Sequence, residues 1–172
     1  MSPSQTIGPF FHFSLTANPE LGRMAREDAN GERIRVRLRL VDGDGAPVPD
    51  GMLEIWQADA SGKYDHTDPA FSGFGRLATD ADGVCVFETI YPGRAADRHA
   101  PHLNVSVFAR GLLNRLYTRV YFDGDPALGE DPVLAVVPED RRHTLIACRG
   151  ESGEWNLAIH LQATEETVFF DI

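Results

Sequence analysis

Leu53-Glu54-Ile55-Trp56-Gln57-Ala58-Asp59-Ala60-Ser61-Gly62-Lys63-Tyr64-Asp65-His66 is the stretch on which the reading of the chain turns. Leu53, Ile55 and Gln57 alternate with Glu54, Trp56 and Ala58, which is the two-residue period of a strand. Trp56 is large and carries one N–H, so it is expected in a core with a partner for that donor. The strand stops at Asp59, and Ser61-Gly62 is turn chemistry. Tyr64 follows the turn, where a phenol either edges a loop or reaches into a site.

The rest of the 172 residues sets bounds around that stretch. The length suits one domain, residues 1–172, with a sizeable core. Hydrophobic residues make up 42%, an ordinary globular composition. A net charge of −10 argues against nucleic acid or an anionic membrane as the main partner. Cys85 lies in an apolar run and Cys148 precedes Arg149-Gly150. Neither has CxxC spacing, and two buried free thiols are expected rather than a disulfide. No basic segment leads into an apolar one at the start, and no apolar run is long enough to span a membrane. A cytoplasmic protein is expected.

Residues 2–16 form an expected extended arm. Pro3 and Pro9 block a helix, while Ile7, Phe10, Phe11 and Phe13 are too apolar for a solvated tail. The arm is expected to pack on something, either its own sandwich or a neighbour. Residues 17–33 read as loop. From 34 to 41, Ile34, Val36, Leu38 and Leu40 alternate with Arg35, Arg37 and Arg39, a strand with one solvated face. Further strands are expected over 74–79, 84–89, 103–109, 116–122, 155–161 and 167–170, with a helical turn begun by Pro138-Glu139-Asp140. Asp42-Gly43-Asp44-Gly45 and Asp80-Ala81-Asp82-Gly83 read as turns. Neither completes a calcium loop. Short strands punctuated by Gly, Pro and Asp make an all-β protein, a two-sheet β-sandwich or barrel.

Several phrases in fixed order resemble the intradiol ring-cleaving dioxygenases. They are Ser4-Gln5-Thr6, the Trp56 stretch, Thr89-Ile90-Tyr91-Pro92-Gly93, Ala100-Pro101-His102 and Arg119-Val120-Tyr121-Phe122-Asp123. The resemblance implies a two-sheet sandwich of the intradiol type with long loops. It also implies a non-haem iron(III) site built from two tyrosines and two histidines. Tyr64 matches the first tyrosine, and the H-x-H pair falls on His102-Leu103-Asn104. The second tyrosine, expected as P-G-x-Y, falls on Pro92-Gly93-Arg94-Ala95.

This chain therefore keeps Tyr64 and His102 but carries Asn104 and Ala95 at the other two positions. A neutral amide is a poor iron(III) ligand, and two donors do not hold the metal. Tyr91 and His99 are the nearby residues that would have to compensate. The pattern is similar to the alpha chain of a two-chain member of the family, in which only the beta chain holds Fe(III). By that resemblance this chain has no catalytic residue and no metal of its own. It pairs obligately with a beta subunit in a higher oligomer and acts on a catechol-bearing aromatic acid with O2. Thr6, Gly8 and Pro9 of the arm and Arg110 are implied to line the partner's substrate pocket. Two other readings stand beside it: a self-sufficient dioxygenase using Tyr64, Tyr91, His99 and His102, and a non-catalytic ligand-binding sandwich.

Overall fold

The structure, a computed structural model, describes residues 13–65, 67–96 and 98–171. Eight strands follow in chain order: β1 (Arg33–Val41), β2 (Met52–Gln57), β3 (Phe74–Ala78), β4 (Val84–Ile90), β5 (His102–Phe108), β6 (Leu116–Phe122), β7 (Ile146–Arg149) and β8 (Trp155–His160). Their lateral order is β3-β2-β5-β6-β7-β8-β1-β4. The β3-β2-β5-β6 half is antiparallel throughout. It joins the other half through a short parallel contact, Tyr121 beside Ile146 and Phe122 beside Ala147.

Alternation decides what each half buries. Ile34, Val36, Leu38 and Leu40 of β1 point inward, and the arginines between them point outward. Leu53 and Ile55 of β2, Phe87 of β4, and Leu103, Val105 and Val107 of β5 meet them in one continuous apolar cluster. Two facing halves with a shared interior make the β-sandwich that the sequence led us to expect.

Gln57 continues the inward row of β2 and is fully buried. Its amide nitrogen donates to the Ile90 carbonyl at 3.0 Å, and its oxygen accepts the Thr89 hydroxyl at 2.7 Å. Trp56 consequently faces outward and is 43% exposed, not placed in the core.

Four other expectations differ. Residues 167–170 form no strand, although the Thr167 and Phe170 amides donate to the His160 and Tyr117 carbonyls. β7 was not foreseen. Cys85 is buried but Cys148 is exposed, and both are free. Residues 13–15 are helical rather than extended. The arm's remaining residues, 2–12, lie outside the described residues. Both acidic turns form as read, because Asp42 and Asp80 each use Oδ1 to accept two amides of their own loop. Pro138 precedes a 3-10 turn over Glu139–Leu145. Among the described residues no helix is long and apolar enough to cross a membrane.

A short helix, α1 (Pro132–Val136), and the turns flanking it pack on the outer face of the antiparallel half. There Leu134, Val137 and Leu145 form a second apolar cluster with Tyr121 and Ala100. This cover closes the His102 end of that face.

The Gln57 pairing sets which face of β2 is interior. Thr89→Val removes the donor to the Gln57 oxygen while keeping the shape, leaving a buried acceptor unpaired. It is expected to cost about 1–3 kcal/mol in urea unfolding. A loss below about 0.5 kcal/mol, the range of surface changes, would show that the pairing is unimportant.

Candidate functional site

The register of three strands builds the site. Trp56 of β2 lies opposite Asn104 of β5, which lies opposite Arg119 of β6. His102 lies opposite Tyr121, and Ser106 opposite Tyr117. Residues two apart on one strand share a face. The outer face therefore carries His102, Asn104, Tyr117, Arg119 and Tyr121 together.

Tyr64 reaches this face from the loop after β2. The Asp59 carboxylate shapes that loop by accepting the Ser61 amide at 2.8 Å and the Lys63 amide at 3.0 Å. The Asp59 carbonyl accepts the Gly93 amide at 2.8 Å, docking the loop on Pro92-Gly93. At Gly62, with φ of +84°, a Cβ would fall 2.0 Å from the Arg94 carbonyl oxygen. Only glycine permits that approach. Tyr64 then lies against Trp56, ring centroids 6.2 Å apart and nearly parallel.

Asn104 is fully engaged. Its Nδ2 donates to the Trp56 carbonyl at 3.1 Å and to the Tyr64 oxygen at 3.0 Å. Its Oδ1 accepts the Tyr117 hydroxyl. The sequence reading missed Tyr117. The signal was present in the period of β6, which puts residues 117, 119 and 121 on the face that carries Asn104.

His102 is 5% exposed, and its Nδ1 donates to the Ala100 carbonyl at 2.8 Å. Burial lowers its pKa to about 4. Asp131 lies beside it at the start of α1. Its carboxylate accepts the amides of Ala100, Val133 and Leu134 at 2.8 to 2.9 Å, and the Tyr121 hydroxyl at 3.2 Å. Burial pushes this carboxyl up, but the amide donors outweigh it and hold the pKa low.

The structure brings His99 near His102, with ring centroids 6.1 Å apart and His99 Nδ1 3.6 Å from Asp131. Tyr91 turns elsewhere. Its hydroxyl donates to Asp125 at 2.9 Å, and its ring packs on Phe122. Ala95 is half-buried on the loop beyond Gly93. Arg110 lies past the far end of β5 from His102. It pairs with Asp50 at 2.7 Å. Thr6, Gly8 and Pro9 lie outside the described residues.

Iron(III) does not fit these side chains. The lone pair of an amide nitrogen is delocalised, and both polar ends of Asn104 are already hydrogen-bonded. Alanine has no donor. Burial raises the Tyr64 pKa, outweighing the hydrogen bond from Asn104. A ferric site needs a set of anionic and imidazole donors that this face lacks.

Residues 6–157 match the dioxygenase family, and the chain belongs to the intradiol dioxygenases, as the order of its motifs led us to expect. Among its relatives are the protocatechuate 3,4-dioxygenase alpha chains of Burkholderia cepacia and Pseudomonas putida, 40% and 41% identical over 99% of this chain and 97% and 96% of theirs. The beta chain of the Burkholderia cepacia enzyme is 37% identical over 84% of this chain and 65% of its own length. The dioxygenase domain of a carbohydrate-binding fusion protein from Streptomyces sp. SirexAA-E has the same fold. Its TM-score is 0.66 at 23% identity, covering 97% of this chain and 100% of that one. The intradiol dioxygenase of Tetranychus urticae gives 0.65 at 22%, covering 93% of each chain.

The His102 shift has a defined sign. A histidine at about 4 when folded, against 6.5 when unfolded, binds fewer protons in the folded state. Its contribution is complete above pH 6.5 and is lost as pH falls toward 4, an effect on the order of 3 kcal/mol. His102→Asn keeps a donor for Ala100 but cannot titrate. Urea unfolding between pH 7 and 4 is expected to show a shallower loss for this variant. Parallel curves would place the proton uptake elsewhere.

Proposed function

We propose that this chain is the alpha subunit of a protocatechuate 3,4-dioxygenase. In this reading it works only beside a beta subunit, in alpha–beta units of a higher oligomer, and the beta subunit holds the iron(III). The observation that carries the reading is Asn104, bonded to Tyr64, Tyr117 and the Trp56 carbonyl where a second imidazole would be required. Similarity to two alpha chains over nearly their whole length supports it.

The assembly's reaction joins 3,4-dihydroxybenzoate and O2 into 3-carboxy-cis,cis-muconate. The ring bond between the two hydroxylated carbons breaks, and both oxygen atoms enter the product. The bound iron supplies the activation of ring and oxygen, and this chain supplies pocket wall. The family resemblance assigns Thr6, Gly8 and Pro9 to that wall: a hydroxyl, a residue with no side chain to keep a ligand at a distance, and an apolar ring. Arg110 contributes charge. Its side chain is 76% exposed and steadied by Asp50, so its guanidinium is presented outward to a neighbour. A substrate carboxylate there would gain a charge-assisted contact.

The purified chain alone is expected to be colourless and to consume no oxygen with 3,4-dihydroxybenzoate. Co-expression with a beta chain is expected to yield iron-containing, active enzyme. A coloured, active preparation of the chain by itself would refute the assignment.

In that assembly Arg110→Ala is expected to lower kcat/KM for the aromatic acid about 10- to 100-fold, as loss of a hydrogen bond to a charged group predicts. Iron content should be unchanged. Unaltered kinetics would leave Arg110 as a surface ion pair, of little energetic consequence.

A further inference from the structure

The two outer sides of the sandwich carry unlike surfaces. On the antiparallel half, α1 and the residue after it turn Leu134 and Val137 inward, 3% and 4% exposed. The other side of this segment is apolar yet meets solvent: Pro132, Ala135, Val136 and Pro138 are all exposed, Val136 at 78%. Glu139 and Asp140 follow at once. Both are exposed, and neither side chain makes a hydrogen bond or ion pair with another described residue. The neighbouring cations turn back on the backbone. Arg142 donates to the Val137 carbonyl at 3.0 Å and the Ala135 carbonyl at 3.5 Å, and Arg141 donates to the Glu166 carbonyl. The outermost charges beside the apolar patch are therefore the two carboxylates.

The other half presents its arginine row. Val36, Leu38 and Leu40 point inward, so Arg35, Arg37 and Arg39 share the outer face. β4 sets Val86 and Val84 opposite Arg37 and Arg39, and β8 sets Asn156 and Ala158 beside them. Arg35 is held by Glu154 at 2.9 Å, and Glu88, the acid opposite it, by Arg23 at 3.3 Å. Arg39 reaches the Asp82 carbonyl at 3.3 Å, with the Asp82 carboxylate at the edge of the row. The Arg37 guanidinium has no polar partner among the described residues. Within a chain of net charge −10, two cations thus stand on a bed of Val84, Val86 and Ala158 with no carboxylate bound to either. Either surface alone is ordinary, since an antiparallel sheet tolerates water on one face. Together they are complementary in charge, and a helix laid on an open sheet is a stable layer.

We propose that these two surfaces bind each other between copies of this chain. The α1 segment of one copy lies across the β4-β1-β8 face of the next, with Val136 against Val86 and Ala158, and with Glu139 and Asp140 against Arg37 and Arg39. The two surfaces point in opposite directions from a shared interior, so they cannot meet within one copy. The contact is head-to-tail. Each copy in a pair keeps one surface free for a further copy, which gives open chains or closed rings rather than a two-fold dimer. It uses no iron and no beta subunit, so it stands or falls separately from the assignment as an alpha subunit.

Sedimentation velocity of the purified full chain is the test. At low salt the mean mass is expected to rise with protein concentration beyond that of a dimer. It should return toward 19.0 kDa at about 1 M salt, where the screening length falls to about 3 Å. Arg37→Glu with Arg39→Glu, and separately Glu139→Arg with Asp140→Arg, set like charges across the contact. Each pair of substitutions should weaken association about tenfold or more. Mixed one to one, the two variants restore opposite charges at every contact and should assemble again. Val136→Ser, at an exposed position, should weaken association several-fold with Tm unchanged. A chain that stays monomeric at every salt concentration overturns the proposal. So does assembly that either charge-reversed pair leaves intact, or a mixture that stays monomeric although both variants keep the original Tm.

Discussion

The placement of β5 between β2 and β6 is the constraint from which the rest follows. That single register aligns Trp56, Asn104 and Arg119 in one row across three strands. A slip by one residue would exchange the two faces of β5, sending Asn104 inward and Val105 into solvent. The interior forbids the slip, since Leu103, Val105 and Val107 are all fully buried. The apolar side thus fixes the geometry of the polar side. The functional face is a by-product of core packing, and it persists whether or not its residues can hold a metal.

That separation lets the fold stand with Asn104 and Ala95 where the family resemblance calls for two more iron ligands. The loop that delivers Tyr64 is secured by Asp59 and by glycine contacts at residues 62 and 93, none of which involves a metal. His102 is held by a backbone carbonyl and by burial under α1. Asn104 then closes the face with hydrogen bonds of its own. At Asn104 neutral hydrogen bonds to Tyr64, Tyr117 and the Trp56 carbonyl satisfy a partly buried polar group.

Much of this was legible in residue order, and the limits have physical causes. The alternation in β1 identified the strand and both its faces. In β2 the same alternation was read correctly, but not which face was interior. A tryptophan is the more apolar candidate, yet Gln57 is buried because Thr89 and the Ile90 carbonyl satisfy it from another strand. No local pattern reports a hydrogen bond across 32 residues. β7 escaped notice because Ile146–Arg149 is short and abuts a 3-10 turn without a Gly or Pro between them. At 167–170 the reverse occurred, where apolar residues of strand type cover the sheet without entering its ladder. Tyr64 and His102 were singled out by resemblance to the family's motifs, whereas Tyr117 needed knowledge of which strand neighbours which.

One feature of the α1 cap reaches beyond the site. The Asp131 carboxylate ties the Ala100 amide, ahead of β5, to the Val133 and Leu134 amides of α1 and to the Tyr121 hydroxyl of β6. Three segments distant in sequence therefore share one anion. Freeing any of them removes a donor from a buried carboxylate, which couples the stability of the three. The cover over His102 is thus tied to two strands through a single side chain.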